Sequence, residues 1–196
     1  MNPPLNLPYS LILASQSPRR RELLTLLDLP FTLRPTPEFD ESISPSIAPH
    51  LRPELIAKHK ADQTPLSEGE LLITADTVVI IGDRVLGKPH SIQEAYTMLH
   101  QLQGNSHVVV TGVCLTTTQC RRSFSCSTTV RFAPLTPQEI HYYLSHYAPL
   151  DKAGAYGVQE WIGAAAIQEL NGSFYNVMGL PVHQLYQELK HFALPQ

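Results

Sequence analysis

The sequence lacks long hydrophobic runs and a strong net charge, and each absence argues against a class of protein. Its longest apolar runs, at residues 71–73 and 78–81, are far too short to cross a membrane. The first ten residues, MNPPLNLPYS, contain no basic region followed by a hydrophobic one, so we expect a cytoplasmic protein. The formal charge of −3 argues against a general attraction to nucleic acid or to an anionic membrane. Any anion must therefore be bound by a local site.

Cysteine is also scarce, and its spacing matches neither a zinc site nor a disulfide framework. The three cysteines are an odd number, and none follows another in a C-x-x-C pattern. Cys114 and Cys126 could face each other across a predicted hairpin over residues 107–132, which leaves one disulfide open. Free cysteines more often pack as small apolar residues, and the expected compartment is reducing, so we expect unpaired thiols.

The familiar nucleotide-binding signatures are missing as well. There is no G-x-x-x-x-G-K-[ST] and no G-x-G-x-x-G, which excludes a P-loop and gives no indication of a dinucleotide fold. The 196 residues suffice for one sizeable core, or for two lobes that share a sheet. We therefore predict a single domain over residues 1–196, in which the proline-rich residues 1–8 form a disordered lead-in.

The stretch LILASQSPRRRELL at residues 11–24 predicts a buried strand, a polar loop and a helix that begins at Pro18. Three arginines in the first helical turn oppose the helix dipole, and a bound polyanion would reverse that effect. The alternative is that Ser17 is only an N-cap and the arginines are solvated. Arg20, however, shares a face with leucines that should pack on the sheet. The predicted phosphate ligands are Ser15, Ser17, Arg19 and Arg20.

The run LLITADTVVII at residues 71–81 is typical of a central strand covered on both faces. Asp76 interrupts this run. An ionised carboxylate there is costly unless a metal, a cation or hydrogen bonds compensate it, which makes Asp76 a candidate site residue. The alternative is an aspartate at a strand end that caps a turn.

Gly82 and Asp83 form a two-residue hairpin signal directly after this strand. Cross-strand partners then have numbers that add up to 165, so Thr77 would face Lys88 and Asp76 would face Pro89. This register places the Lys88 ammonium beside the carboxylate and the hydroxyl. The alternative is a surface lysine that happens to end a hairpin.

Further along the chain, capping boxes at residues 91–94 and 136–139 predict two helices, and residues 164–170 predict a strand. The first helix has a predicted apolar stripe of Ala95, Met98, Leu99 and Leu102, and the second has one of Ile140, Tyr143, Leu144 and Tyr147. The segment DKAGAYGVQ at residues 151–159 contains two glycines, which allow close approach of a ligand, together with Lys152. Gln159 offers both an amide donor and a carbonyl acceptor. Taken alone, the segment could also be a tight turn.

The basic residues near loops and element ends are accompanied by two acidic residues, and this mixture suits a polyphosphate bound with a divalent cation. The cations are Arg19, Arg20, Lys60, Lys88 and Lys152, and the acids are Glu41 and Asp76.

An ordered set of motifs resembles the Maf family of nucleoside triphosphate pyrophosphatases. The set comprises SQSPRR at 15–20, Glu41, Lys60-Ala61, TADTVV at 74–79, Gly87-Lys88-Pro89, HVVVTGV at 107–113, DKAGAYGVQ at 151–159 and NGSFYNVMGLP at 171–181. The match runs in the same order from residue 11 to about residue 189, which is far more specific than any one motif.

The resemblance implies an α/β fold shared with inosine triphosphate pyrophosphatases: a long mixed sheet flanked by helices, with two lobes and a cleft. It implies a homodimer that hydrolyses dTTP and UTP to the monophosphate and pyrophosphate with Mg²⁺ or Mn²⁺. In the family, the residue matching Asp76 is the proton acceptor, and those matching Arg20, Thr77 and Gln159 accompany the dTTP/UTP branch. Glu41 matches the second acidic residue, which with Asp76 would hold the metal. The other expected substrate ligands are Ser15, Ser17, Arg19, Lys60, Lys88 and Lys152.

Two competing functions remain open from the sequence. A non-catalytic, nucleotide-binding regulator of cell division would need the cations but neither the acid at position 76 nor a metal. A phosphomonoesterase would release orthophosphate instead of pyrophosphate. The substrate could also be a modified pyrimidine nucleotide that is kept out of nucleic acid.

Overall fold

The computed structural model describes residues 5–37 and 43–193. Its strands are β1 Ser10–Ala14, β2 Phe31–Leu33, β3 Glu70–Ile81, β4 Arg84–Leu86, β5 Ser106–Thr116, β6 Arg121–Phe132 and β7 Ile167–Asn171. Its helices are α1 Pro18–Thr25, α2 Arg52–Gln63, α3 Ile92–Leu102, α4 Pro137–Tyr147, α5 Trp161–Ala166, α6 Phe174–Met178 and α7 Val182–Leu189. Short 3₁₀ turns lie at Pro49–Leu51, Ala153–Ala155 and Lys190–Phe192.

The strands of the described chain form one mixed sheet in the order β2-β1-β3-β5-β6-β7, with β4 paired to β3. Strand β1 runs parallel to both β2 and β3, whereas β4 is antiparallel to β3 and β7 to β6. The prediction of an α/β protein with a long mixed sheet and flanking helices is therefore confirmed.

Contacts divide the chain into two compact units. Unit 1 comprises Met1–Asp76, Thr111–Cys126 and Gly179–Gln196, and unit 2 comprises Thr77–Val110 and Ser127–Met178. Strands β3, β5 and β6 each contribute residues to both units.

The core of unit 1 forms where α2 packs on the sheet. Ile12 of β1, Leu72 of β3 and Cys114 of β5 are buried against Ala57 and Ala61 of α2. Small alanines on this face let the helix lie close to the strands. Gly112 brings it closer still, because a Cβ at that position would lie 2.2 Å from the Glu54 backbone nitrogen.

The core of unit 2 is larger and gathers helices α3, α4 and α5 around the sheet. The apolar stripes predicted on α3 and α4 supply it: Leu99 and Leu102 of α3 and Ile140 and Leu144 of α4 are buried. Tyr143 is also fully buried, although its hydroxyl is polar.

Local sequence signals predicted the helix starts well. Ser17 caps α1 by accepting a hydrogen bond from the Arg20 backbone N–H, with Pro18 at the first helical position. Thr136 and Glu139 form the complete capping box of α4. At α3, Ser91 accepts from the Glu94 N–H as predicted, but the Glu94 carboxylate accepts from His90 instead of Ser91.

Three local predictions are corrected by the structure. Leu5 is only 6% exposed, so the predicted disordered lead-in over residues 1–8 does not hold at this residue, and residues 1–4 of it lie outside the described residues. Its apolar side chain gains more from burial than the chain loses in freedom. Residues 164–166 end helix α5, so the predicted strand over 164–170 begins at Ile167. Helix α6 was not predicted, because five residues are too few to show a helical period.

The three thiols are unpaired, in agreement with the expectation for the cysteines. Across residues 5–37 and 43–193, no helix is both long and apolar enough to cross a membrane.

Candidate active site

The polar loop at residues 15–17 begins where strand β1 leaves the sheet. The parallel register pairs Ala14 with Thr74, so the loop starts beside the part of β3 that leads to Asp76. Within the loop, the Ser15 hydroxyl accepts a hydrogen bond from the Ser17 N–H at 3.2 Å. Loops that follow the carboxyl ends of parallel strands are where α/β proteins bind ligands.

Arg20 does not lie on a solvated face. Its Nε donates to the carbonyl oxygen of Gly179 at 2.9 Å, which ties the first turn of α1 to the segment before α7. Arg19 and Arg20 are half-buried, whereas Arg21 is exposed. The alternative of three solvated arginines is therefore wrong for Arg20.

Asp76 lies in the middle of β3, six residues after Glu70, which excludes an aspartate that caps a turn at a strand end. Its Oδ1 accepts a hydrogen bond from the Lys60 ammonium at 2.8 Å. The two side chains are only 14% and 13% exposed, respectively. A cation on α2 thus compensates the carboxylate that interrupts the apolar strand.

One contact between α2 and β3 fixes the register of the helix on the strand, and with it the position of Lys60. The buried Thr74 hydroxyl donates to the Ala57 carbonyl oxygen at 2.6 Å. Thr74 precedes Asp76 by two residues on the same face of the strand, and Ala57 precedes Lys60 by one helical turn. The Thr64 hydroxyl donates to the Lys60 carbonyl oxygen at 2.7 Å and closes the helix.

The first turn of α2 is anchored by Glu54. Ser123 and Ser125 of β6 donate to its two carboxylate oxygens at 2.7 and 3.0 Å. Burial raises the pKa of Glu54, but hydrogen bonds from Lys58 and the two serines outweigh that effect and lower it below its usual value. The ionised form of Glu54 is therefore the form that holds α2 on the sheet.

A divalent cation fits the donor set of unit 1 only if substrate phosphates complete its coordination. Mg²⁺ is commonly bound by one or two carboxylates plus phosphate oxygens. Asp76 supplies one carboxylate, and the other predicted ligand, Glu41, lies outside the described residues. Within residues 5–37 and 43–193, no group of three His, Cys, Asp or Glu side chains could hold a metal. The described residues therefore supply one predicted carboxylate ligand and no complete protein cage for a cation.

In unit 2, the predicted hairpin register is confirmed for three pairs but does not extend to Lys88. Strand β4 pairs Leu86 with Val79, and the numbers add up to 165 as predicted. The ladder ends at Leu86, and the Gly87 carbonyl oxygen accepts a hydrogen bond from the Gly154 N–H at 3.0 Å. Lys88 is therefore exposed in the loop after β4, and the cation found on Asp76 is Lys60.

Lys152 is buried between two carboxylates. Its ammonium lies 2.8 Å from Asp151 Oδ1 and 3.1 Å from Glu160 Oε1, and its side chain is 10% exposed. The second Glu160 oxygen accepts a hydrogen bond from the Tyr143 hydroxyl. That hydroxyl oxygen in turn accepts a hydrogen bond from the Gly157 N–H at 3.0 Å. Burial, with a further contribution from Glu160, raises the pKa of Tyr143 well above its usual value, so the phenol stays protonated.

Gln159 is exposed in the turn that these contacts surround. The turn is closed by the Glu160 N–H, which donates to the Gly157 carbonyl oxygen at 3.0 Å. Thr77 is half-buried on β3. The predicted contacts of Thr77, Lys88 and Gln159 with substrate remain predictions.

Sequence reasoning missed the polar roles of Thr74, Tyr143 and Glu160. Tyr143 was assigned to the apolar stripe of α4, which is correct for its ring. A buried tyrosine hydroxyl usually needs a partner, and this was the signal that could have directed attention to nearby polar residues. Glu160 and Thr74 had no comparable signal, because their partners are distant in the sequence.

Comparisons with known proteins identify the family of this chain. The family model described as Maf-like protein matches residues 10–192. A dTTP/UTP pyrophosphatase of Bacteroides thetaiotaomicron is 50% identical over 93% of this chain and 95% of that protein. A dTTP/UTP pyrophosphatase of Parabacteroides distasonis is 52% identical over 94% and 96%, respectively.

Two solved structures are more distant. The dITP/XTP pyrophosphatase of Mycobacterium abscessus has a TM-score of 0.40 and 16% identity, and covers 70% of this chain and 94% of that one. A protein of Coxiella burnetii titled HAM1 has a TM-score of 0.43 and 17% identity, and covers 65% and 74%. The family model spans nearly the whole chain, and the relatives share about half of its residues. The chain belongs to the Maf family.

Proposed function

We propose that the protein is a nucleoside triphosphate pyrophosphatase that hydrolyses dTTP and UTP to the monophosphate and pyrophosphate. The observation that carries the proposal is the Asp76 carboxylate, held by Lys60 in the middle of an apolar strand beside a serine and arginine loop. The names of relatives that are about 50% identical over nearly the whole chain support the same activity.

Asp76 acts as the proton acceptor for the water that attacks the α-phosphorus. Lys60 fixes one carboxylate oxygen, and this sets the orientation of the other for a water molecule. General-base catalysis of this kind contributes about 10²–10⁴-fold to a rate. Asp76 is thus both a member of an ion pair and the reacting base.

The phosphate chain is bound by the loop at residues 15–17 and the start of α1. Ser15, Ser17, Arg19 and Arg20 place hydroxyl, backbone and guanidinium donors at the end of β1. Such donors stabilise the charge that develops on the pyrophosphate leaving group, which is the dominant contribution in phosphoryl transfer. Lys88, which is exposed in the loop after β4, is a further proposed substrate ligand.

A divalent cation takes part in this chemistry. Asp76 and Glu41 would hold Mg²⁺ or Mn²⁺, which supplies positive charge to phosphate oxygens and lowers the pKa of bound water. Adding a chelator should abolish pyrophosphate release, and excess Mg²⁺ or Mn²⁺ should restore it.

Arg20, Thr77 and Gln159 set the preference for a pyrimidine. The Gln159 amide matches the edge of uracil or thymine, where the N3–H donor lies beside a carbonyl acceptor. A base that leaves this amide unpaired is rejected at a cost of about 1–3 kcal/mol. The same pocket chemistry would accept a pyrimidine modified at a position that the amide does not contact.

A cytoplasmic homodimer completes the proposal. The family resemblance favours this assembly, and light scattering should give about twice the chain mass of 21.8 kDa.

The decisive experiment is a panel of nucleoside triphosphates with separate detection of pyrophosphate and orthophosphate. Pyrophosphate from dTTP and UTP is expected, and Asp76→Asn should reduce its release at least 100-fold. The matched control is Asp83→Asn, which makes the same change in the exposed turn between β3 and β4.

The alternatives give different results in the same panel. Release of orthophosphate alone would indicate a phosphomonoesterase. Tight binding of dTTP without turnover, with Mg²⁺ or Mn²⁺ present, would indicate the non-catalytic regulator of cell division. Unchanged activity in Asp76→Asn would remove the assignment of the base.

A further inference from the structure

Lys152 was expected to bind phosphate, but its surroundings are those of a structural cation. Its ammonium is almost inaccessible and already lies against the carboxylates of Asp151 and Glu160. A cation neutralised by two acidic neighbours attracts a polyphosphate weakly, because the local charge of the three groups is negative. Lys152 therefore needs a different role.

The contacts of Lys152 lead to a single turn of the chain. Glu160 connects the ammonium on one side to the Tyr143 hydroxyl on the other, and the hydroxyl receives the Gly157 N–H. In this series of hydrogen bonds, each donor faces an acceptor. A buried polar network whose members are paired in this way is rigid. The network includes the Gly157 N–H and the Glu160 carboxylate. These two residues are the first and last of the turn that carries Gln159.

Two close contacts restrict the main chain of this turn. A Cβ at Gly157 would lie 2.7 Å from the Glu160 carboxyl carbon, so the carboxylate rests directly on the main chain. A Cβ at Gly163 would lie 1.8 Å from the Val158 carbonyl oxygen, so helix α5 supports the turn by close backbone contact. Gly157 and Val158 are buried and Glu160 is half-buried, whereas Gln159 itself is exposed.

A fixed position matters for this residue in particular. Uracil and thymine present an N3–H donor beside the O4 acceptor, whereas cytosine presents the N3 acceptor beside an amino donor, so a glutamine amide distinguishes them only from a suitable distance and direction. The main chain at Gln159 sets that distance and direction. We propose that Tyr143, Glu160 and Lys152 are positioning residues that hold the Gln159 turn and thereby set the preference for uracil or thymine over cytosine. This inference rests on the proposed function.

The test compares kcat/KM for UTP and CTP in single-atom variants. Tyr143→Phe removes the hydroxyl that joins Gly157 to Glu160. It should lower kcat/KM for UTP about tenfold while leaving that for CTP within about twofold, equivalent to about 1.4 kcal/mol of lost discrimination. Tyr147→Phe is the matched control, because its ring stacks on that of Tyr143 and it loses the same atom. It should change neither value.

Variants of Lys152 provide a second test of the same inference, which can be used even if Tyr143→Phe does not fold. Lys152→Met should reduce the preference for UTP in the same way, and Lys152→Arg should restore most of it. An equal fall of kcat/KM for both nucleotides in Lys152→Met would identify a phosphate ligand and overturn the inference. Unchanged ratios in both Tyr143→Phe and Lys152→Met would overturn it as well.

Assays of the wild-type protein distinguish a failure of this inference from a failure of the proposed function. If the wild type releases no pyrophosphate from any nucleotide, the proposed activity is wrong. The ratio of Kd values for UTP and CTP, measured by calorimetry on the same variants, would then decide the role of the network. A ratio that is the same in wild type and Tyr143→Phe would refute it without reference to catalysis.

Discussion

Replacing Asp76 by asparagine and Lys60 by methionine, singly and together, separates what their ion pair contributes to stability from what it contributes to catalysis. The two charges are 2.8 Å apart. At that distance, their attraction is about 1.5 kcal/mol in water and about 6 kcal/mol at an effective dielectric constant of 20. Both side chains are more than four-fifths buried, and their desolvation offsets part of the gain, so we expect a coupling energy of about 2 kcal/mol.

Each single variant breaks the ion pair and leaves one buried charge with less compensation, so it should lower the free energy of unfolding by about 2 kcal/mol. The double variant leaves no unpaired charge, so it should be about as stable as either single variant. Activity should behave differently. Asp76→Asn should lower kcat at least 100-fold, and Lys60→Met should not recover it, because the base is still absent.

Urea denaturation gives the stabilities and pyrophosphate release gives the rates. Lys58→Met is the matched control, because Lys58 lies on the same helix but pairs with Glu54. Its effect on stability should add to that of Asp76→Asn within about 0.5 kcal/mol. The reasoning is refuted if the Lys60 and Asp76 effects are also additive, or if the double variant regains activity that Asp76→Asn has lost.

Three further predictions follow from buried contacts. Thr74→Val removes the hydrogen bond to Ala57 that sets the register of α2, so kcat should fall about tenfold with little change in KM. Thr74→Ser keeps the hydroxyl and should restore kcat. An effect on KM alone would contradict this role. Gly112→Ala should cost about 3 kcal/mol in urea denaturation, because the new Cβ would lie 2.2 Å from the Glu54 nitrogen; a loss below about 0.5 kcal/mol would contradict the close approach. Burial lowers the pKa of His107 from 6.5 to about 4, so the unfolded state binds the proton more readily and stability should fall as the pH drops from 6.5 towards 4. The loss should approach about 3 kcal/mol, and His107→Gln should lack this part of the pH dependence; equal slopes in both proteins would refute it.

Much of the fold could be predicted because its signals are local. The continuous apolar run of β3 and the serine and proline at the start of α1 lie within a few residues of the structure that they specify. The hairpin register was also predictable, because the two turn residues Gly82 and Asp83 fix it.

The partner of Asp76 could not be predicted in the same way. Lys60 reaches the carboxylate only because α2 docks on the sheet through small residues and Gly112, and this docking leaves no mark near position 76. The hairpin rule pointed instead to Lys88. That extension failed because the Gly87 carbonyl oxygen is bound by Gly154, so the ladder stops before it reaches the lysine.

The hydrogen-bond network around Gln159 could not be predicted from the sequence for a related reason. Tyr143 and Glu160 are seventeen residues apart, and their contact depends on how α4 packs against the segment before α5. A sequence pattern indicates that a tyrosine is buried, but only tertiary structure shows where its hydroxyl is directed.

The absence of a side chain at Gly112 has a consequence for how this enzyme can vary. Most helices rest on a sheet through interdigitating side chains, and substitutions there shift the helix by small steps. Here the first turn of α2 lies against bare main chain, so this contact has no side chain that a smaller residue could replace to bring the helix nearer. Substitution at Gly112 can therefore increase the separation of α2 from β5 but cannot decrease it, and the length of the side chain at position 60 is a separate means of changing the reach to β3.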